Sequence, residues 1–509
     1  MADWNKKEDW VKLRLTEVLP LTPIDQTAPR IYTRVVYGFP FSGNDATLQD
    51  AVARVRESLL RSFSRWPFLA GQVIHPGDSD LMAAVYSHIP ENFNLHRFPD
   101  EVFSHRDLRK LGAASWNFEK LTKQGAPPVA MDKDLLTLSP THPSRALLKG
   151  KDSYYHPLTL QITSVPGGLL LGFAFHHGVF DGVAFAEFLS NFCGGGIPFD
   201  RAAHDNHIGD RKLLVKSFSP AAVVPGQANE YDVDGRLPPP AKVFAPCDAR
   251  ILAFSTTSVD KLQGDVAAYL NKAYENRRDG GSPAFVSKVD VVCGMLWLFV
   301  TRARFHRLRP EDATHFATAV NARGVVSEDL REGYMGNLFV RAVTPATTIG
   351  ELVGFRPSGG TKLPPATVKD IAEAAWLIRK AITAAKDRNF ISKRFKLAAS
   401  YSQKHTDTDP DDFGRAVGRT VNQTVSGLDS SVWLDFGMDV NFGIPGTGVG
   451  KPLWARKTYS ASDGSLNIMP RLGGAKGKDA NWEVLLALRV EDLEKMCGDK
   501  ELGCYLLSA

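Results

Sequence analysis

A histidine with an aspartate four residues later is a pairing that could do proton-transfer chemistry. A hydroxyl group is not ionised near neutral pH, so its attack on a carbonyl carbon needs a base, and neutral imidazole is suited to that role. The spacing occurs three times, at His96/Asp100, His177/Asp181 and His405/Asp409. The first and third pairs lie in polar stretches that are interpreted as surface loops.

The middle pair has a distinct setting. The apolar run Leu169–Phe175 precedes His177 and predicts a buried strand, whereas Asp181 and Gly182 precede apolar residues at helical spacing. A strand-to-helix turn places a polar side chain at the mouth of a sheet. We therefore predict that His177 is the general base, that Asp181 fixes the loop and that Gly182 relieves crowding. The alternative is that His176 and His177 are core histidines ending a strand, which the combined setting disfavours.

Other predicted elements must position this loop. Periodicity and capping-box-like spacings at Ser287/Asp290 and Thr367/Asp370 predict helices over 48–64, 291–304, 371–385 and 492–496, with strands over 158–163 and 482–490. The first helix should end before Pro67, since a residue preceding proline resists helical geometry. Strands and helices mix in both halves, which indicates an α/β fold with mixed sheets.

The length of 509 residues favours two domains. The stretch 206–246 is rich in proline and has little periodicity, so it is interpreted as a crossover between them. The predicted boundaries are 1–205 for the first domain, 206–246 for the linker and 247–509 for the second domain.

Composition excludes several function classes. The net charge is +5 with no basic run, which disfavours nucleic-acid binding, and the longest apolar stretches fall short of the ~20 residues that span a bilayer. The five cysteines are scattered without a C-x-x-C spacing, which favours a reducing, cytoplasmic location. No metal-ligand spacing is present, so no metal is expected.

The segment His177–Gly182 resembles the H-x-x-x-D-G signature of the BAHD acyltransferase superfamily, in particular its fungal trichothecene O-acetyltransferase type. Further segments resemble family elements in the same order over nearly the whole chain. These are Leu21-Thr22-Pro23-Ile24-Asp25, the segment 67–73, the segment 287–304, Val320–Arg323 with Gly333–Asn337, and the segment 468–484. Each element is weak alone, and their order makes the resemblance specific.

The second family signature, D-F-G-W-G-K-P, is only partly matched. Asp435 begins a D-F-G triplet but follows Trp433 too closely, whereas Asn441 stands at about the family's distance from that tryptophan. The resemblance implies that Asn441 takes the position of the family's aspartate and contacts Arg323, with Asp435 as the alternative. An asparagine would bind the arginine more weakly than a carboxylate.

The resemblance implies two chloramphenicol-acetyltransferase-like domains, each a mixed sheet flanked by helices, with a tunnel between them. His177 would transfer an acyl group, acetyl above all, from acyl-CoA to the hydroxyl of a small specialised metabolite. Ser430 and Ser431 are candidate CoA contacts, no permanent cofactor is expected, and a monomer is expected. Two alternatives stay open: acyl transfer to an amine or from a carrier protein on the same fold, and an inactive binding module.

Overall fold

The computed structural model describes residues 17–74, 82–86, 102–109, 116–138, 155–194, 206–207, 210–214, 245–274, 285–326, 333–356, 362–404, 421, 424–478 and 480–508. Its strands are β1 (Glu17–Pro20), β2 (Tyr32–Pro40), β3 (Gln72–Ile74), β4 (Ala83–Tyr86), β5 (Phe103–Asp107), β6 (Leu158–Val165), β7 (Gly168–His176), β8 (Cys247–Phe254), β9 (Ala313–Thr314), β10 (Phe316–Asn321), β11 (Phe339–Val343), β12 (Thr347–Thr348), β13 (Leu428–Val432), β14 (Trp454–Lys457), β15 (Ser465–Ile468), β16 (Trp482–Arg489) and β17 (Leu506–Ser508).

Its α-helices are α1 (Pro23–Thr27), α2 (Asp45–Arg65), α3 (Phe118–Lys123), α4 (Lys133–Leu136), α5 (Gly182–Cys193), α6 (Thr256–Tyr274), α7 (Lys288–Arg304), α8 (Arg323–Val326), α9 (Ile349–Leu352), α10 (Val368–Ala385), α11 (Arg388–Lys404), α12 (Val490–Cys497) and α13 (Lys500–Gly503). Within the described ranges, no helix has both the length and the apolar character needed to cross a bilayer.

The first large sheet has the strand order β14-β2-β7-β6-β5. Its centre is the hairpin of β6 and β7, which turns at Gly167 with a φ of 77°, a conformation that favours glycine. Every residue of β7 is buried, as the apolar run predicted. Helices α2 and α5 pack against each other, and their apolar residues share a core with Leu171, Phe173 and Phe175 of the strand that leads to His177.

The second large sheet has the order β11-β10-β13-β15-β16-β8-β17 and combines parallel with antiparallel pairs. Helices α6, α7, α10 and α12 cover one of its faces. The predicted capping boxes are confirmed, because Ser287 with Asp290 starts α7 and Thr367 with Asp370 starts α10. Two mixed sheets with flanking helices confirm the α/β class.

The second half of the chain contributes one strand to the first sheet. Strand β14 follows β13 in the sequence, yet it pairs with β2 in the first sheet, where Lys457 lies opposite Val35. Most of the stretch interpreted as a crossover lies outside the described residues, but Arg211 and Leu214 are described and are buried. A segment of the predicted linker is therefore part of the core.

Candidate active site

The end of β7 separates the two neighbouring histidines. His176 lies opposite Tyr32 on β2 and is buried, with the two rings edge to face at 5.4 Å. Its Nδ1 accepts a hydrogen bond from the backbone N–H of Gly178 at 3.2 Å. His177 is the first residue after β7, and both histidines line a cavity between the two sheets.

His177 is held through its backbone. Its N–H donates to the carbonyl of Ile31 at 2.8 Å, and its own carbonyl accepts from the side-chain amide of Asn337 at 2.7 Å. The ring lies edge-on to Phe339, with the centroids 5.9 Å apart. Within the described residues Nδ1 is buried and has no hydrogen-bond partner.

The electrostatic setting keeps the imidazole neutral. Burial lowers the pKa of His177 below its ordinary value, and the positive charge of Arg341 lowers it further. The carboxylate of Asp181 and the side chain of Asn337 oppose this effect without reversing it. A neutral imidazole at the edge of a cavity can accept a proton from a substrate.

The carboxylate of Asp181 accepts four hydrogen bonds. It caps α5 by accepting from the N–H of Ala184 at 3.0 Å, and it accepts from the N–H of Leu338 at 2.9 Å. Arg323 donates to both carboxylate oxygens, with Nη1 at 3.0 Å and Nη2 at 2.9 Å. This bidentate pair joins the loop to the second half of the chain.

Gly182 begins α5 in a crowded place. A Cβ at this position would lie 2.4 Å from Cζ of Phe436, so a larger residue would displace that ring. The absence of a side chain at Gly182 leaves room for this ring where the loop turns into the helix.

The expected contact between Arg323 and Asn441 is wrong. Arg323 binds Asp181 and the carbonyls of Tyr334 and Gly336 instead. The exposed Asn441 accepts from the N–H of Gly443 at 2.7 Å, so it shapes its own glycine-rich loop.

Asp435, the alternative partner, is also not among the groups that bind Arg323 in the described part of the chain. It is exposed and its Oδ1 lies against the backbone of Gly474. The arginine's carboxylate partner is therefore the aspartate of the first signature, not a residue of the second.

A buried network of hydrogen bonds, which the sequence did not predict, contacts the loop that carries His177. Arg211 and Asp25 are fully buried and form an ion pair at 2.7 Å. Arg211 also donates to the carbonyls of Val179 at 3.2 Å and Met335 at 2.5 Å. Asn337 donates to Asp25 at 2.9 Å as well as to the carbonyl of His177.

Only part of this network carried a sequence signal. Asp25 and Asn337 belong to segments that were matched to the family, but their contact spans 312 positions and no local pattern indicates it. Arg211 had no signal, because it lies in a stretch interpreted as a linker.

The cavity beside His177 has a volume of about 940 Å³ and is lined by residues from both sheets. Ser430 and Ser431 belong to its wall on β13. Ser431 lies beside Asn467 of β15, while Ser430 is buried and its Oγ has no hydrogen-bond partner among the described residues. The other two histidine–aspartate pairs, His96/Asp100 and His405/Asp409, lie outside the described residues.

Two sheets enclose a cavity that is lined by a histidine on a strand-to-helix loop, and comparison with known proteins shows that this chain is an acyltransferase. The model of the Transferase family matches residues 132–502, and that of the trichothecene 3-O-acetyltransferase-like N-terminal domain matches residues 31–193. The protein belongs to the Transferase family, the BAHD acyltransferases.

Curated relatives resemble the chain over nearly its whole length. O-acetyltransferase ptmV of Penicillium ochrochloron is 23% identical, and the match covers 96% of this chain and 97% of the relative. O-acyltransferase pigD of Monascus ruber is 22% identical, with 94% and 95% covered.

A solved structure shows the same fold. TRI101 of F. graminearum complexed with coenzyme A and deoxynivalenol is 21% identical, has a TM-score of 0.72, and matches over 96% of this chain and 99% of that chain. The two-domain architecture expected from the family resemblance is confirmed.

Proposed function

We propose that the protein transfers an acyl group, acetyl above all, from acyl-CoA to a hydroxyl group of a small specialised metabolite. One observation carries this proposal: His177 lies at the cavity between the sheets with its pKa lowered by burial. A base of this kind is what hydroxyl attack on a thioester requires. The relatives support the substrates, because their names describe O-acetyl and O-acyl transfer and TRI101 was solved with coenzyme A.

In the proposed reaction one residue, His177, both accepts and returns the proton. His177 takes the proton of the acceptor hydroxyl as its oxygen attacks the thioester carbon. The tetrahedral intermediate then collapses, the carbon–sulfur bond breaks, and the imidazolium returns the proton to the CoA thiolate. Because Nδ1 is buried, Nε2 is the nitrogen that would face the substrates.

The other predicted residues take supporting roles in this proposal. Asp181, Gly182 and Arg323 hold the loop and do not exchange protons, since the carboxylate of Asp181 already accepts four hydrogen bonds. Ser430 and Ser431 stay candidates for contacts with CoA, supported by their place on the cavity wall.

The domain limits 1–205, 206–246 and 247–509 also stay a proposal, with the qualification that β14 belongs to the first sheet. We further propose a monomeric, cytoplasmic enzyme. The five unpaired cysteines support a reducing compartment.

Thiol release from a panel of acyl-CoAs, with and without candidate alcohols, tests the proposal. His177→Ala should lower the acceptor-dependent rate by about 10²–10⁴-fold, as expected for a lost general base. His105→Ala is the matched control, because His105 lies on the edge strand β5 and binds Ser164, away from the cavity. Equal rates for the wild type and His177→Ala with every acceptor, in folded protein, would overturn the assignment. Activity that appears only with amines would show that the acceptor is an amine and not an alcohol. Activity that appears only with a phosphopantetheine-loaded carrier would show that the acyl donor is a carrier protein and not CoA.

A further inference from the structure

A lysine of the first sheet binds a residue of the second sheet at the wall of the cavity. Lys457 is the last residue of β14 in the first sheet, and its Nζ donates to Oδ1 of Asn467 on β15 of the second sheet at 3.2 Å. Asn467 is buried, and both residues line the cavity that contains His177. A side chain that carries a positive charge when protonated is therefore placed inside the cavity.

This charge is not matched by a carboxylate. Asp429 is close enough to favour the charged form of Lys457, but Asp429 forms an ion pair with Arg341. Among the described residues no carboxylate lies within ion-pair distance of Lys457. Lys133 lines the same cavity and differs in this respect, because its Nζ pairs with Asp134 at 2.7 Å.

An ammonium group that is taken out of water without a counter-charge is unfavourable, and an anionic ligand would relieve this cost. Burial also lowers the pKa of Lys457, because removal of the ammonium group from water disfavours its charged form. The neighbouring wall is polar, since Ser431 lies beside Asn467 in the register of β13 and β15. Lys457, Asn467 and Ser431 thus present an ammonium, an amide and a hydroxyl to one region of the cavity, and all three can donate to an anion.

The region lies at a defined place relative to the base. On β2, Tyr32 lies opposite His176 and Val35 lies opposite Lys457. Three residues of strand correspond to about 10 Å along the sheet. Arg341 connects the two places, because its charge lowers the pKa of His177 and it pairs with Asp429 beside Lys457. A substrate that reacts at His177 could therefore reach Lys457 with a second group.

We propose that Lys457, Asn467 and Ser431 form an anion-binding subsite for an acidic group of a substrate. The proposal rests on the proposed function for the identity of the cavity as the substrate site. The acidic group has two possible sources with the same chemistry, which are a carboxylate on the acceptor and a phosphate of CoA. A hydroxy acid is the acceptor class that fits a base at one end and an ammonium at the other.

Isothermal titration calorimetry on the full chain tests the subsite without turnover. The first arm compares 4-hydroxycinnamate with 4-hydroxycinnamamide on protein saturated with CoA. The second arm compares CoA with pantetheine, which lacks the phosphates. We expect the wild type to bind the carboxylate at least about tenfold more tightly than the amide, which is the usual scale of a hydrogen bond to a charged group.

Lys457→Met keeps the apolar stem and removes the charge, so it should abolish the preference for the carboxylate. Lys457→Arg should retain part of that preference, and Lys133→Met should retain all of it. If Lys457→Met instead reduces the preference for CoA over pantetheine, the subsite stands and its anion is a CoA phosphate. The proposal is overturned if Lys457→Met changes neither preference. Because binding is measured, a failure of acyl transfer would be a separate result.

Discussion

Asp181→Asn is the sharpest test of the brace that holds the catalytic loop. The carboxylate accepts four hydrogen bonds, two from Arg323 and one each from the N–H groups of Ala184 and Leu338. An amide has one acceptor oxygen, so its NH₂ group must face at least one of these donors. The substitution also leaves the guanidinium of Arg323, which is only 16% exposed, without its anionic partner.

Breaking such a pair from one side costs about 3–5 kcal/mol when it is buried. Arg323 keeps the carbonyls of Tyr334 and Gly336 as acceptors and is partly exposed, so we expect the lower end, about 3 kcal/mol. Urea denaturation followed by fluorescence should therefore show a clearly lower midpoint for Asp181→Asn. The kcat of the folded variant should fall far less than that of His177→Ala, because no proton is transferred through Asp181.

The double variant Asp181→Asn/Arg323→Met supplies the control. Removing the stranded guanidinium should make the double variant more stable than the sum of the two single losses predicts, since the residues are in direct contact. Two results would refute the reasoning. One is strict additivity of the two losses, and the other is an Asp181→Asn protein of wild-type stability whose kcat is as low as that of His177→Ala.

Three further predictions concern the base, the buried network and the second signature. The lowered pKa of His177 keeps its proton-accepting form present at lower pH, so the decline of kcat/KM as pH falls should be centred below the ordinary value of 6.5; a decline centred above that value would contradict the assignment. Arg211→Met strands the buried carboxylate of Asp25 and should cost about 3–5 kcal/mol in urea denaturation, whereas a variant of unchanged stability would show that the ion pair is dispensable. Asn441→Ala removes one exposed hydrogen bond to Gly443 and should cost at most about 1 kcal/mol in the same assay, and a loss above about 2 kcal/mol would indicate a partner beyond its own loop.

The elements that carry the site were predictable because their signals are local. Apolar periodicity predicted a helix over 48–64, and the structure has Asp45–Arg65, begun by the side chain of Asn44. The strand, loop and helix around His177 follow from an apolar run, a polar turn and helical spacing within 25 residues. Each signal concerns contacts between residues that are close in the chain, which is where sequence patterns are informative.

The partners of the site were not predictable on the same grounds. Arg323 binds Asp181, 142 positions away, and nothing near either residue distinguishes this pairing from the expected one with Asn441. No local sequence pattern in β14 indicates that it pairs with β2 of the first sheet, because strand pairing depends on the packing of distant segments. Arg211 stands among residues with the composition of a linker, and only the folded chain shows that it is buried.

The catalytic loop is held by groups that are far from it in sequence. Asn337 binds the carbonyl of His177, Arg211 binds the carbonyl of Val179, and Arg323 binds the side chain of Asp181. These three donors come from the second half of the chain or from the stretch between the halves, while the loop belongs to the first. The position of the base is therefore set by the docking of the two halves, and the first half alone would leave the carboxylate and two carbonyls of its loop without these donors. Since unpaired buried polar groups are costly, the contacts that aim His177 also favour the docked arrangement that encloses the cavity.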